Sequence, residues 1–194
     1  MTIIVPFRQR ETHLAQFLPH MRAYLPHADI VVVEQEEGKP FNRGKLINIG
    51  FLETRAAFFV AHDVDILPIE VNYDPRSGVT QLASSKIQRS GYLGGVTKFD
   101  AVTFEKVGGY HNDYFHRAED NELMFNLKRL DIPVVNRFGT FRELPHPRTG
   151  PEFIPELWEK AQRPRDIQDQ LSVCQYEVIS RREYGGPIHL IVSI

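Results

Sequence analysis

A chain of 194 residues with 42% hydrophobic and 25% charged residues has the size and composition of one ordinary globular domain. Its formal net charge of −2 gives it no electrostatic footprint for nucleic acid or an anionic membrane surface. The single cysteine, Cys174, excludes an internal disulfide framework and a cysteine-based zinc site, and suits a reducing compartment. The sequence shows no charged leader and no apolar stretch long enough to span a bilayer, so the expectation is one soluble, cytoplasmic domain over residues 1–194, or a domain trimmed of its anchor.

Ile3-Ile4-Val5 is β-branched and reads as a first strand ended by Pro6. Leu14, Phe17, Leu18, Met21 and Leu25 recur at helical spacing, with Thr12 as the expected N-cap and Pro19 as a point of kinking or splitting. Ile30-Val31-Val32-Val33 is a second buried strand. Asn42 caps a helix running to about Arg55, with Leu46, Ile47 and Phe51 inward. Ala57-Phe58-Phe59-Val60-Ala61 is the third strand. This strand–helix alternation implies a parallel sheet with crossover helices, whose ligands gather at the carboxyl ends of the strands. Phe7 to Arg10, the Glu34 loop and Asp63 to Asp65 all fall at such ends. Residues 67–89 read as irregular, with room for one short strand. Val96 to Phe99 is strand-like, and Asp100 caps a short helix ending at Gly108-Gly109. Glu119 to Arg129 reads as a helix with Leu123, Leu127 and Leu130 inward. Pro133-Val134-Val135 is a short strand, residues 142–169 read as a wrapping segment, and Tyr176 to Ser180 and Ile188 to Ile194 are late strands.

The most chemically pointed motif is Asp63-Val64-Asp65. Two carboxylates one residue apart at a strand end are costly to hold together unless a cation neutralises them. On an extended strand they point the same way, unless the chain turns between them. Their functional reading is a Mg²⁺ or Mn²⁺ site that holds a diphosphate; the alternative is a solvated strand end. Arg8, Arg10 and Arg43 lie on strand-end loops and suit phosphate oxygens, and Phe7 and Phe41 beside them could sandwich a flat base. Gly94-Gly95 permits close backbone approach to a sugar or phosphate. Glu119-Asp120 opens a helix, where acids gain from the helix dipole and where one of them could take a proton from an acceptor hydroxyl. His146, in a proline-flanked loop, is a candidate metal ligand, with Glu143 three residues earlier as a second.

These groups occur in an order that resembles the β-1,4-galactosyltransferase family. The carrying segments are Ile4-Val5-Pro6-Phe7-Arg8-Gln9-Arg10-Glu11 with His13-Leu14, and Phe41-Asn42-Arg43-Gly44-Lys45-Leu46-Ile47-Asn48-Ile49-Gly50-Phe51. Asp63-Val64-Asp65-Ile66-Leu67-Pro68, Tyr92-Leu93-Gly94-Gly95-Val96, and Gly108-Gly109-Tyr110-His111-Asn112-Asp113-Tyr114 followed by Glu119-Asp120 continue it. Tyr176-Glu177-Val178 and Ile188 to Ile194 match the closing strands. The resemblance implies a GT-A fold of α/β class, with a mixed, mostly parallel central sheet flanked by helices. It implies metal-dependent, inverting transfer of a hexose, galactose first, from a UDP-sugar to a glycan or glycoconjugate hydroxyl. UDP-GalNAc or UDP-glucose is the alternative donor.

By that resemblance Pro6, Phe7, Arg8, Arg10, Phe41 and Arg43 would hold the UDP, with Asp63 and Val64 near the donor. Asp65 and His146 would bind Mn²⁺, or Mg²⁺. Asp120 would be the general base with Glu119 beside it, and Tyr92 and Gly95 would line the sugar pocket. The sequence departs from the family at three places. Phe115-His116-Arg117-Ala118 replaces a Gly-Trp-Gly-Gly stretch that meets the acceptor. Asn121 replaces an Asp, and Glu143 stands at a third metal position where the animal enzymes carry methionine, which is why Glu143 joins the candidate metal set. The altered loop leaves open a second reading, a nucleotide- or glycan-binding module without turnover. A nucleotidyltransferase ranks last, because no lysine- and glycine-rich phosphate loop follows the first strand.

Overall fold

The computed structural model describes residues 1–74, 76–83, 93–114, 118–146, 155–163, 166–183 and 185–194. Its first elements alternate: β1 (Thr2–Phe7), α1 (Glu11–Tyr24), β2 (Asp29–Gln35), α2 (Arg43–Thr54) and β3 (Phe58–His62). Then come β4 (Ile66–Glu70), β5 (Val79–Ala83), β6 (Val96–Asp100), α3 (Ala101–Lys106), α4 (Glu119–Arg129), β7 (Val134–Asn136) and β8 (Thr140–Glu143). The chain closes with α5 (Pro155–Gln162), β9 (Glu177–Glu183) and β10 (Ile188–Ser193). The central sheet has the order β7-β5-β6-β3-β1-β2-β10-β9, and β4 pairs with β8 in a separate two-stranded sheet. β1 pairs in parallel with β2 and β3, β2 with β10, and β5 with β7, while β6 and β9 run the other way. The sheet is therefore mixed and mostly parallel, and the carboxyl ends of β1, β2, β3 and β10 share one edge.

Strand alternation divides the core. Ile4, Val31 and Val33 face α2, where Leu46, Ile47 and Phe51 meet them; Ile3, Val5 and Val32 face Phe17 and Met21 of α1. Phe51, Phe59 and Phe104 pack ring on ring at 4.9–5.3 Å and pin α2 and α3 to the sheet. Full burial of each such ring is worth about 1.5–3 kcal/mol.

Several expectations hold in detail. The Asn42 side chain accepts from the Lys45 N–H and caps α2, which ends with Arg55 in the left-handed region. Asp100 caps α3 through the Thr103 N–H. Others are corrected. α1 starts one residue after Arg10, so Thr12 lies inside the helix rather than at its cap. The helix runs unbroken through Pro19, which sits on its exposed side. The span 67–89 holds most of β4 and all of β5; β5 is buried along its whole length, with Val79, Leu82 and the amide of Gln81 inside, and its polar residues hid it. The span 142–169 is not only a wrap, since it includes the end of β8 and α5.

Candidate active site

The turn after β3 separates the two aspartates. Ile66 N–H donates to the Asp63 carbonyl at 3.3 Å, closing a tight turn over Asp63-Val64-Asp65, and Val64 tucks into the core. The carboxylates then find different partners. Asp63 accepts from Arg43 Nε at 2.7 Å, and Asp65 lies 2.7 Å from Nε2 of His146. Both are about a quarter exposed at the side chain, 28% and 23%. Burial, and then the charge of Asp63, raise the Asp65 carboxyl, while His146 and Arg10 pull it down. Asp65 is thus a carboxyl group crowded by a second carboxylate and still reachable from outside.

Arg43, the first residue of α2, is the hinge of the arrangement. While its Nε meets Asp63, its Nη1 donates to Asp120 at 2.9 Å, so one guanidinium joins the end of β3 to the start of α4. Arg43 and Asp120 are 12% and 5% exposed at their side chains. Burial raises the Asp120 carboxyl and Arg43 opposes it; Glu119, buried beside it, is pushed up to about 7 by burial and then by Asp120. Glu119 Oε2 and Arg43 Nη2 are buried without a hydrogen-bond partner among the described residues. The fully buried Tyr110 hydroxyl stands beside them and interacts with Arg43 and Asp120, so these groups form one polar cluster under the rim.

A buried amide network holds this rim in place. Asn48 donates to the Tyr110 carbonyl and to Asn112, and accepts from the Tyr110 N–H. Asn42 donates to the Asn112 carbonyl, and Asn112 bonds to Gln170 through both its main chain and its side chain. α2 is thereby bound to the segment that leads toward α4. Gly95 acts at the other side: its carbonyl accepts from the Asp63 N–H at 2.9 Å. Its φ is +81°, and a Cβ there would stand 2.6 Å from the Ala83 carbonyl oxygen, so only glycine fits.

The remaining candidates distribute as follows. Arg8 stacks over Phe41 at 5.4 Å and donates to the Lys39 carbonyl. Pro6 and Phe7 are buried in β1; the Phe7 ring points into the α1-side core and meets His189 edge-on, so of the two phenylalanines it is Phe41 that offers a face at the rim. Arg10 stands at the start of α1, within electrostatic reach of Asp65. Glu143 is exposed on β8 opposite Ile66, and no group of three metal-ligating side chains forms among the described residues. Tyr92 and the segment Phe115 to Arg117 lie outside the described residues. Sequence reasoning missed His62, which is fully buried between Tyr73 and the Asp63 carbonyl and held down to about 4 by burial. It also missed Asn48 and Asn112, isolated amides that no spacing marks.

The chain is similar to known proteins in both sequence and fold. The profile of the N-terminal region of glycosyl transferase group 7 matches residues 1–73. Human β-1,4-galactosyltransferase 4 is 30% identical over 217 residues, covering all of this chain and 62% of the human protein. The catalytic domain of Drosophila β-1,4-galactosyltransferase 7 in complex with xylobiose superposes with a TM-score of 0.88 at 25% identity, covering all of this chain and 93% of that one. A mutant of the same enzyme in complex with manganese, UDP-Gal and xylobiose gives 0.85 at 26% identity, with the same coverage. The fold is that of a GT-A glycosyltransferase. The chain is similar along its whole length to β-1,4-galactosyltransferases, and spans less than two thirds of the length of human β-1,4-galactosyltransferase 4. No helix among the described residues is long and apolar enough to cross a membrane.

Proposed function

We propose that this chain is a Mn²⁺-dependent, inverting galactosyltransferase that moves galactose from UDP-galactose to a hydroxyl of a glycan or glycoconjugate. The observation that carries the reading is the Arg43 bridge from Asp63 to Asp120, set beside the Asp65–His146 pair. The bridge joins a donor-side carboxylate to a buried base, and the cation-binding pair lies next to it along the chain at Asp65. The relatives' names and the neighbour's complex with manganese, UDP-Gal and xylobiose support it.

In this reading Asp120 takes the proton of the acceptor hydroxyl as its oxygen attacks the anomeric carbon. The bond to UDP breaks on the opposite face, and its electron pair leaves on the diphosphate. Glu119, protonated below about 7, donates a hydrogen bond to a sugar hydroxyl from the same buried turn. Arg43 holds the Asp120 carboxyl below where burial alone would leave it, and so favours its basic form. Pro6 and Phe7 form the floor of the UDP site, Arg8, Arg10 and Phe41 its rim, and Val64, Gly95 and Tyr92 the sugar side. A carboxylate oxygen and an imidazole nitrogen suit Mn²⁺, and Asp65 and His146 would hold it; when bound, the ion supplies positive charge for the departing diphosphate. Residues 1–194 form one such domain. A reducing, cytoplasmic setting is part of the proposal, supported by the presence of a single cysteine, Cys174. UDP binding should require Mn²⁺ and vanish in Asp65→Ala; UDP bound equally well in the presence of a chelator would remove the metal from the account.

A further inference from the structure

One stripe of α1, carrying His13, Phe17, His20 and Tyr24, grips the β4–β8 sheet. His20 Nε2 lies 2.7 Å from the Pro68 carbonyl oxygen, and Tyr24 Oη accepts from the Val71 N–H at 2.8 Å and donates to its carbonyl at 3.2 Å. Phe17 packs into the core with Ile66 and Leu144. That small sheet carries both members of the metal pair: Asp65 immediately precedes β4, and His146 follows β8 by three residues. The Leu144 N–H donates to the Asp65 carbonyl at 2.7 Å, which fixes where the chain leaves β8. Beyond Leu144 the segment Pro145-His146 is exposed, and His13 meets it. His13 Nε2 lies 3.3 Å from the Pro145 carbonyl oxygen, and the His13 and His146 rings meet edge to face at 6.2 Å and 81°.

We propose that His13 is a positioning residue for the metal pair: its Nε2–H holds the Pro145 carbonyl and thereby keeps the His146 imidazole turned toward Asp65. The inference rests on the reading of Asp65 and His146 as metal ligands. The contacts His13 makes are with the carbonyl that precedes His146 and with the His146 ring. Groups that orient a ligating histidine typically change metal affinity by 10–100-fold.

The test compares His13→Gln, whose amide nitrogen reaches about as far as Nε2, with His13→Asn, whose amide falls short. Mn²⁺ affinity is measured by electron paramagnetic resonance of the free ion, alongside the Mn²⁺ dependence of transfer. H13N should weaken Mn²⁺ binding by about tenfold, raise the KM for Mn²⁺ and leave kcat at saturating Mn²⁺ unchanged, while H13Q restores wild-type affinity. Wild-type affinity in H13N, an equal loss in both variants, or a fall in kcat with affinity intact would overturn the role of His13. Asp65→Ala separates the two levels. If D65A binds Mn²⁺ like the wild type, the metal reading itself fails; if D65A loses it and H13N does not, only His13 is removed.

Discussion

Replacing Arg43 with methionine, a flexible apolar side chain, tests the bridge at the centre of the site. The change leaves the carboxylates of Asp63 and Asp120 without the cation that now lies 2.7 and 2.9 Å from them. Removing one partner of a buried ion pair costs about 3–5 kcal/mol. The lower end applies here, because Asp63 is 28% exposed and retains water. A loss of about 3 kcal/mol lowers the melting temperature of a domain this size by about 6–12 °C. The sign with pH follows from Asp120. Its carboxyl is already raised by burial, and without Arg43 it climbs further. A folded-state pKa above the unfolded one favours folding at low pH and costs stability as pH rises through the folded value. Thermal melts of wild type and R43M should therefore differ most at mildly alkaline pH and converge as pH falls. Equal melting temperatures at alkaline pH, or a penalty that grows on acidification, would refute the reasoning.

Glu119, pushed up to about 7, should place a break near that pH in the kcat/KM profile of the free enzyme; Glu119→Gln should remove it, and an unchanged profile contradicts the assignment. His62 is held down to about 4 from 6.5, so the unfolded chain takes up a proton that the folded one refuses between those values. Stability is then full above the unfolded value and falls as pH drops toward the folded one, by up to about 3 kcal/mol. His62→Gln, which keeps a partner for Tyr73, should flatten that acid slope in denaturant titrations, and a slope equal to wild type would contradict this. Gly95→Ala meets both a φ of +81° and the Ala83 carbonyl at 2.6 Å, and should cost about 2 kcal/mol or more in stability; a neutral outcome would mean that the turn beneath Asp63 is softer than it looks.

Much of this was legible because burial writes itself into pattern. β1, β2 and β3 are short apolar runs, Asn42 and Asp100 are caps, and Asp63-Val64-Asp65 stands where a parallel sheet exposes strand ends. β5 was hidden because its Thr80 and Gln81 are buried through hydrogen bonds rather than hydrophobicity: Gln81 donates to the Ala83 and Gly94 carbonyls. The divergence of Asp63 from Asp65 was conditional on a turn that their spacing could not specify. The Arg43 bridge joins residues 20 and 77 positions apart, a juxtaposition that only the packing of α2 against α4 creates. Arg43 read as a phosphate ligand from its loop position; in the fold its guanidinium is largely committed to carboxylates, with Nη2 left over.

The most direct test of the central claim is a transfer and donor-hydrolysis assay with UDP-galactose, UDP-GalNAc and UDP-glucose in the presence of Mn²⁺, over a panel of sugar acceptors that includes xylobiose. The account predicts turnover fastest with UDP-galactose, abolished by chelator. Asp120→Asn should lower it by about 10²–10⁴-fold while UDP binding is retained. Retained UDP affinity with neither hydrolysis nor transfer from any donor, or equal activity in Asp120→Asn, would contradict it.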